Sequence, residues 1–246
     1  MTNAYSDPEF MLGDEARPLR ILSEYLEPRE RLSRLNVHNG LLFWGSARLR
    51  PHDQHPVADQ VDFYAHAHEL AARMVQWTMD EHEEGEHFYV CTGGGPGIME
   101  AANRGAADVN PELSMGFNIE LPHEQGANEW VHDTLNFEFH YFFMRKFWFM
   151  NIAKALIVFP GGFGTMDELF EMLTLIQTEK QRRIPVVLFG GDFWRRLINF
   201  DVFVELGLIS PEDVDLFYVA DSVDDAHRYL TDALDGEHHK PARRHG

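Results

Sequence analysis

Two glycine clusters constrain this chain more than any other feature. Each follows a short apolar run and precedes a helical pattern. The first is Cys91-Thr92-Gly93-Gly94-Gly95-Pro96-Gly97-Ile98-Met99-Glu100, and the second is Pro160-Gly161-Gly162-Phe163-Gly164-Thr165-Met166-Asp167-Glu168. Glycine lets a backbone adopt positive φ and approach a neighbour closely. The start of a helix adds unpaired N–H groups and partial positive charge, which suit a phosphate. A strand-to-helix junction of this kind is either a tight turn or an anion cradle, and four glycines within residues 93–97 favour the cradle. The first cluster is not a dinucleotide fingerprint, because Ile98 stands where the third glycine counted from Gly93 and Gly95 belongs. Neither cluster is a Walker A loop, since no Gly-Lys-Ser or Gly-Lys-Thr follows.

The pattern around the clusters alternates between strand and helix. Strands are expected at Leu41-Leu42-Phe43-Trp44 and at residues 87–92, 114–121, 155–159, 185–189 and 215–219. Helices are expected at residues 61–76, 98–108, 136–153, 165–181, 193–203 and 223–234, the first with Tyr64, Ala67, His68, Ala71 and Val75 along one stripe. Short apolar strands alternating with helices imply an α/β, Rossmann-like three-layer fold with a central parallel sheet covered by helices on both faces. A ligand is then expected outside the carboxyl ends of the strands. Residues 1–36 read as a polar N-terminal extension with one or two short helices, residues 18–26 being a candidate. Residues 37–235 are expected to form the α/β domain that carries both glycine loops, and residues 236–246 read as a disordered tail.

A formal net charge of −19 weighs against nucleic-acid polymers but says little about a small phosphorylated ligand held by local N–H groups and one or two arginines. A membrane span is not expected: the longest apolar stretch, residues 137–149, is broken by Glu138, His140, Arg145 and Lys146. The amino terminus lacks a basic start and an apolar run, and Cys91 is the single cysteine, so the expected location is the cytoplasm. Among the 14 histidines, His66 and His68 are two apart and diverge on a helix, and His52 and His55 flank a loop with Asp53 and Pro56. No HExxH or paired-cysteine motif occurs, and no metal is expected.

Taken alone, Glu168 has two readings. Thr165 and Glu168 have the spacing of a capping box, with Thr165 as N-cap; alternatively, Glu168 points across the loop into the cleft. The motif settles more when compared with known families. Residues 160–168 resemble the PGGxGTxxE motif of the LOG family, whose members have been labelled "possible lysine decarboxylase". Met144-Arg145-Lys146 with Met150 resembles its arginine–lysine helix, residues 93–99 its phosphate loop, and Gly45-Ser46-Ala47 the end of its first strand. The resemblance runs from about residue 37 to 230. It has departures: GGGPGIM is one residue shorter than the loop of compact members, and Glu100 replaces a following glycine. The longer N-terminal extension and the segment 121–128 fit a longer branch.

The resemblance implies hydrolysis of a nucleoside 5′-monophosphate, a cytokinin nucleotide or an AMP-like purine, to free base and ribose 5-phosphate. It implies a homodimer or an assembly of dimers, and no cofactor. Arg145 and Glu168 are the implied catalytic pair. Pro160, Gly161, Gly162, Gly164 and Thr165 are the implied phosphate loop, with Gly45, Ser46, Arg48, Gly94, Gly95, Gly97, Met144 and Lys146 as further substrate contacts. Cleaving a ribosyl C–N bond builds positive charge on the sugar, which a carboxylate stabilises while it activates water; an arginine orients the phosphate or the departing base. Arg48 and Lys146 have equally simple readings as solvated side chains, as do Glu124, Gln125 and Asn128, which otherwise could read base or ribose. Two other readings compete: a nucleotide or molybdenum-cofactor carrier of the same fold that does not hydrolyse its ligand, and a lysine decarboxylase, for which no Schiff-base lysine stands at a strand end. The aromatics Phe137, Phe139, Tyr141, Phe142, Phe143, Phe147, Trp148 and Phe149, read as one helix, would need burial on several sides, for which a dimer interface is the simplest cover.

Overall fold

The computed structural model describes residues 3–51, 61–120 and 126–238. The segment with His52, Asp53, His55 and Pro56, the loop with Glu124 and Gln125, and residues 239–246 of the expected tail lie outside the described residues.

Seven strands among the described residues form one parallel sheet: β1 (Asn39–Trp44), β2 (Phe88–Thr92), β3 (Ser114–Ile119), β4 (Asn136–Phe139), β5 (Ala153–Val158), β6 (Val186–Phe189) and β7 (Tyr218–Ala220). Their order is β4-β3-β2-β1-β5-β6-β7. Successive side chains of a strand point to opposite faces, so each apolar run feeds two cores. Leu41 and Phe43 of β1, Ile157 of β5 and Val187 of β6 enter the core on one face; Leu42 and Trp44, Leu156 and Val158, and Val186 and Leu188 enter the other. The first core is closed by α3 (Phe63–Glu81), α4 (Ile98–Val109) and α9 (Val223–His238). The second is closed by α2 (Arg17–Arg34), α5 (Phe142–Ile152), α6 (Phe163–Gln177) and α7 (Gly191–Leu197); the short α1 (Pro8–Leu12) and α8 (Phe200–Glu205) complete the chain. This is the expected three-layer α/β fold. No described helix is long and apolar enough to cross a membrane.

Four boundaries differ from the sequence reading. Residues 136–153 are not one helix: Asn136–Phe139 is the edge strand β4, paired with β3 from Gly116↔Asn136 to Ile119↔Phe139, and the helix begins only at Phe142. The apolar positions Phe137 and Phe139 alternate with exposed Asn136 and Glu138, a period of two that the aromatic density concealed. The N-terminal helix is twice as long as expected, running from Arg17 to Arg34 with Leu32 in the second core. The helix expected at 193–203 is two helices, α7 and α8. Gly236 and His238, read as tail, belong to the last turns of α9.

The chain order reverses between β1 and β5, since β2, β3 and β4 extend to one side and β6 and β7 to the other. Connections leaving the two central strands diverge there and open a crevice. Its floor is stitched beyond the strands, where Phe159 N donates to Trp44 O at 2.8 Å and Ser46 N to Pro160 O at 3.0 Å. Helix α4 is drawn in by Ile98 N donating to Ser46 O at 3.0 Å.

Helices α3 and α4 approach closely because α4 is built from small residues. A Cβ added at Gly105 would lie 2.0 Å from the His68 carbonyl oxygen, a backbone atom that cannot step aside. Gly105→Ala is therefore expected to destabilise the protein by about 1–3 kcal/mol, read as a fall in Tm by circular dichroism. Gly236→Ala, whose Cβ meets nothing, is the control and should hold or raise Tm.

Candidate active site

The crevice is a cavity of about 760 Å³ at the carboxyl ends of the central strands. Loops from three strands form its walls: Gly45, Ser46, Arg48 and Leu49 after β1, Gly93 and Gly95 after β2, and Pro160 to Thr165 after β5. Arg145 of α5 and Glu168 of α6 close it from the side.

The second glycine loop leads directly into α6, whose N-cap is Gly162 and carries no side-chain cap. Thr165 is therefore not the N-cap that its spacing with Glu168 suggests; it sits in the first turn, buried, with its hydroxyl against Gly161. A Cβ at Gly161 would lie 2.2 Å from that hydroxyl, which is why this position must be glycine. Gly162 and Gly164 face open space. A helix of 15 residues that starts on glycine leaves its first N–H groups to whatever occupies the cavity. Glu168, released from capping, projects to the Arg145 guanidinium instead.

The first glycine loop is held rigidly. Gly94 and Gly97 take φ of +70° and +73°. Gly97 presses on the loop after β1, where a Cβ would lie 2.3 Å from the Ser46 carbonyl oxygen. Asn128 N donates to Gly94 O at 2.7 Å, and its side-chain amide donates to Gly94 O, Gly95 O and Asn103 Oδ1. Asn103 is fully buried and receives the Thr92 hydroxyl at 2.6 Å while donating to Ser114 Oγ and Met115 O. Asn128, a candidate for reading a base or ribose, thus spends its polar groups on the loop.

Arg145 Nη2 donates to Glu168 Oε1 at 2.9 Å, with the two side chains only 11% and 13% exposed. The guanidinium also lies over the rings of Phe142 and Phe149, at 5.2 and 5.6 Å from their centroids. Burial pushes the Glu168 carboxyl up from 4.5 to about 7, the neighbouring Arg145 charge working against that rise. A carboxyl poised there can hold or release a proton at neutral pH.

Of the residues singled out in the sequence, Gly45, Ser46, Arg48, Gly95, Arg145, Pro160, Gly161, Gly162, Gly164, Thr165 and Glu168 line the cavity. Gly94 and Gly97 lie behind it as backbone supports, Gly94 against Asn118. Met144 faces the other way, into an apolar groove with Ile21 and Tyr25 of α2. Lys146 turns to the far side of α6 and binds Asp167 at 2.8 Å and Glu171 at 2.7 Å. Burial alone would lower the pKa of its ammonium, but the two carboxylates outweigh that and hold it charged. Other lining residues were not assigned to the site from the sequence, among them Trp44, Phe63, Met99, Asn118, Phe142, Phe163 and Phe193, with Glu120 and Glu138 at the β3 and β4 ends. Only the polar-apolar alternation of residues 136–139 could have pointed to Glu138, because the others are single apolar or polar residues without a pattern. Among the described residues no cluster of histidine, cysteine and carboxylate side chains has the makings of a metal site.

Residues 99–230 match the family model described as "Possible lysine decarboxylase". Over 167 residues the chain is 29% identical to the pyrimidine/purine nucleotide 5′-monophosphate nucleosidase of Escherichia coli strain K12, an overlap that covers 56% of this chain and 36% of that protein. Over 61 residues it is 43% identical to the cytokinin riboside 5′-monophosphate phosphoribohydrolase LOG7 of Arabidopsis thaliana, covering 24% of this chain and 28% of the relative. The chain thus matches about a third of the length of these curated relatives. Among solved structures, the molybdenum cofactor binding protein of Rippkaea orientalis superposes with a TM-score of 0.50 at 17% identity, over 78% of this chain and 94% of its own. The X-ray structure of TM1055 gives 0.52 at 18% identity, over 79% and 99%. At such identities the likeness is one of fold.

The Glu168 environment has a consequence for stability. Its carboxyl keeps a proton to higher pH when folded than when unfolded, so its stabilising contribution is complete below about 4.5 and is lost as pH rises through about 7. Urea titrations from pH 4.5 to 8 should show the wild type losing stability relative to Glu168→Gln, by on the order of 3 kcal/mol in total. Parallel curves for the two proteins would contradict the raised carboxyl.

Proposed function

The chain belongs to the family described as possible lysine decarboxylases, and from that footing we propose that it hydrolyses the N-glycosidic bond of a nucleoside 5′-monophosphate, releasing free base and ribose 5-phosphate. The observation that carries this reading is the buried Arg145–Glu168 pair set against an uncapped, glycine-started helix in one cavity. The names of the Escherichia coli and Arabidopsis relatives support the same substrate class.

The phosphate is bound by the first N–H groups of α6, with Gly162 and Gly164 offering the close approach and Arg48 at the rim. The ribose then lies against Glu168. As the C1′–N bond lengthens, its electron pair moves to the base and positive charge grows on the sugar; the Glu168 carboxylate stabilises that charge and takes a proton from the attacking water. The water oxygen bonds to C1′, giving ribose 5-phosphate, and the proton taken up by Glu168 passes to the base nitrogen that has left, which gives the free base and restores the carboxylate. Arg145 has two tasks: it favours the ionised form of Glu168 and presents its planar fork to the phosphate or the departing base. The aromatic side chains Trp44, Phe63, Phe142 and Phe163 supply the apolar wall that a base requires.

A decarboxylase acting through pyridoxal phosphate needs a lysine in the cavity. Among the described lining residues there is none, and Lys146 is engaged outside it by Asp167 and Glu171. The protein also acts as a homodimer or an assembly of dimers in this reading. Phe142 and Phe163 at the cavity wall, and Phe143 and Phe147 of α5 and Phe170 of α6 away from it, are exposed, and a second copy is the cover that suits them. A cytoplasmic location accords with a nucleotide substrate and a single, buried cysteine.

Incubation with AMP, GMP, CMP and isopentenyladenosine monophosphate, followed by chromatography, should release base and ribose 5-phosphate from at least one of them. Glu168→Gln should lower kcat by about 10³-fold. Binding without release from any nucleotide would instead favour a carrier. Because the ionised carboxylate is the working form, kcat/KM should rise with pH through an apparent pKa near 7 and level off above it. A profile flat between pH 5 and 8 would remove Glu168 from the proton-transfer role.

A further inference from the structure

We propose that Glu24, on the N-terminal helix α2, is a positioning residue for this reaction: its carboxylate clamps the entry into α5 and thereby sets where the Arg145 guanidinium meets Glu168. This inference rests on the reading of Arg145 and Glu168 as the catalytic pair.

Helix α5 starts without help from its own sequence. Its N-cap, Tyr141, makes no side-chain cap bond, and its first turn holds no acid. A carboxylate distant in sequence instead holds the backbone just before the first turn: Glu24 Oε1 accepts from His140 N at 2.9 Å and Glu24 Oε2 from the N-cap Tyr141 N at 3.2 Å. A carboxylate in this place bonds strongly to backbone N–H groups and sits at the positive end of the helix. The grip is repeated about two turns further along α5, where the Trp148 indole N–H donates to the Glu24 backbone oxygen at 2.9 Å, and at the N-cap itself Arg20 Nε donates to the Tyr141 hydroxyl at 3.3 Å.

The line from Glu24 to the site is short and continuous. Tyr141, whose N–H is held by Glu24, gives its carbonyl to Arg145 N at 3.2 Å, and Arg145 Nη2 reaches Glu168 at 2.9 Å. Apolar packing places α5 on the sheet, but packing tolerates small slides along the helix axis, and a charged contact between two nearly buried groups does not. Displacements near 1 Å at a reacting centre lower rates by as much as about 10²-fold.

The groups that face Glu168 are Arg145 and Lys146 from α5 and Asp167 and Glu171 from its own helix, with Arg48, Glu120 and Glu138 elsewhere on the cavity wall. Among them Arg145 acts most strongly to hold the Glu168 carboxyl down. Drawing Arg145 away therefore raises that carboxyl further, a change that general loosening of the fold at another point would not produce.

The test compares Glu24→Ala with Arg31→Ala. Arg31 lies on the same helix and ties it to the sheet through Asn136 O at 2.8 Å and the Phe137 ring, away from the start of α5. In Glu24→Ala, kcat should fall by about 10-fold or more while KM stays within about twofold, and a ¹³C NMR titration should show the Glu168 carboxyl moved upward from its wild-type pKa. Arg31→Ala should lower Tm and leave that titration where it was. If the alanine variant does not fold, Glu24→Gln, which keeps the shape and removes the charge, is read in the same way. An unmoved Glu168 titration in the Glu24 variant, or an equal rise in Arg31→Ala, overturns the proposal. The titration needs no substrate, so a wild-type protein inactive on every nucleotide would defeat the reading of the reaction separately.

Discussion

A guanidinium and a carboxylate, both nearly out of water and 2.9 Å apart, set the terms for the rest of this structure. Desolvating such a pair often takes back what its attraction yields, so the contact is a weak source of stability. The two residues come from different helices that flank β5, and neither helix can shift without breaking the contact. The pull of burial against the pull of Arg145 leaves Glu168 near neutrality. That balance is useful for moving a proton and of little use for holding a fold together.

The surrounding polar groups divide into those spent on the scaffold and those left for a ligand. Asn103, Thr92, Ser114 and Asn128 bond to one another and to the carbonyls of the first glycine loop. They fasten that loop, with its positive-φ glycines, beneath the cavity. The second loop is treated differently, because α6 starts on Gly162 without a side-chain cap. One glycine loop therefore serves as a foundation, whereas the other leaves the first N–H groups of α6 without a side-chain cap beside the cavity. A chain with a net charge of −19 can still bind a phosphate in this way, since the attraction is local and its donors are backbone N–H groups.

The N-terminal helix changes the meaning of the domain boundary drawn from the sequence near residue 36. Its Leu32 belongs to the same core as Trp148 and Phe149, and its Glu24 holds the backbone that enters the Arg145 helix. What reads as an appendage is thus a third wall of the layer that carries the site. The exposed phenylalanines of α5 and α6 beside it are the part of this layer that the chain leaves without a cover of its own.

The sequence by itself determined the fold class, the parallel sheet and both glycine loops, because period-two and period-3.6 apolar patterns punctuated by glycine admit few other arrangements. It also singled out Arg145 and Glu168, which the structure brings together. It misread residues 136–153 as one helix, because eight aromatics in close succession hid the alternation at Phe137 and Phe139, and only pairing with β3 makes that segment a strand. It offered a capping box for Thr165 and Glu168 that the structure refuses, since the helix is capped by Gly162, three residues before Thr165. Tertiary structure alone decided that Lys146 and Met144 face away from the cavity, that Asn128 serves the loop, and that Glu24 reaches the Arg145 helix. The physical reason is common to all of them. Local pattern reports which face of an element is apolar, whereas the partner of a polar side chain is settled by groups distant in sequence that the packed sheet brings within about 3 Å.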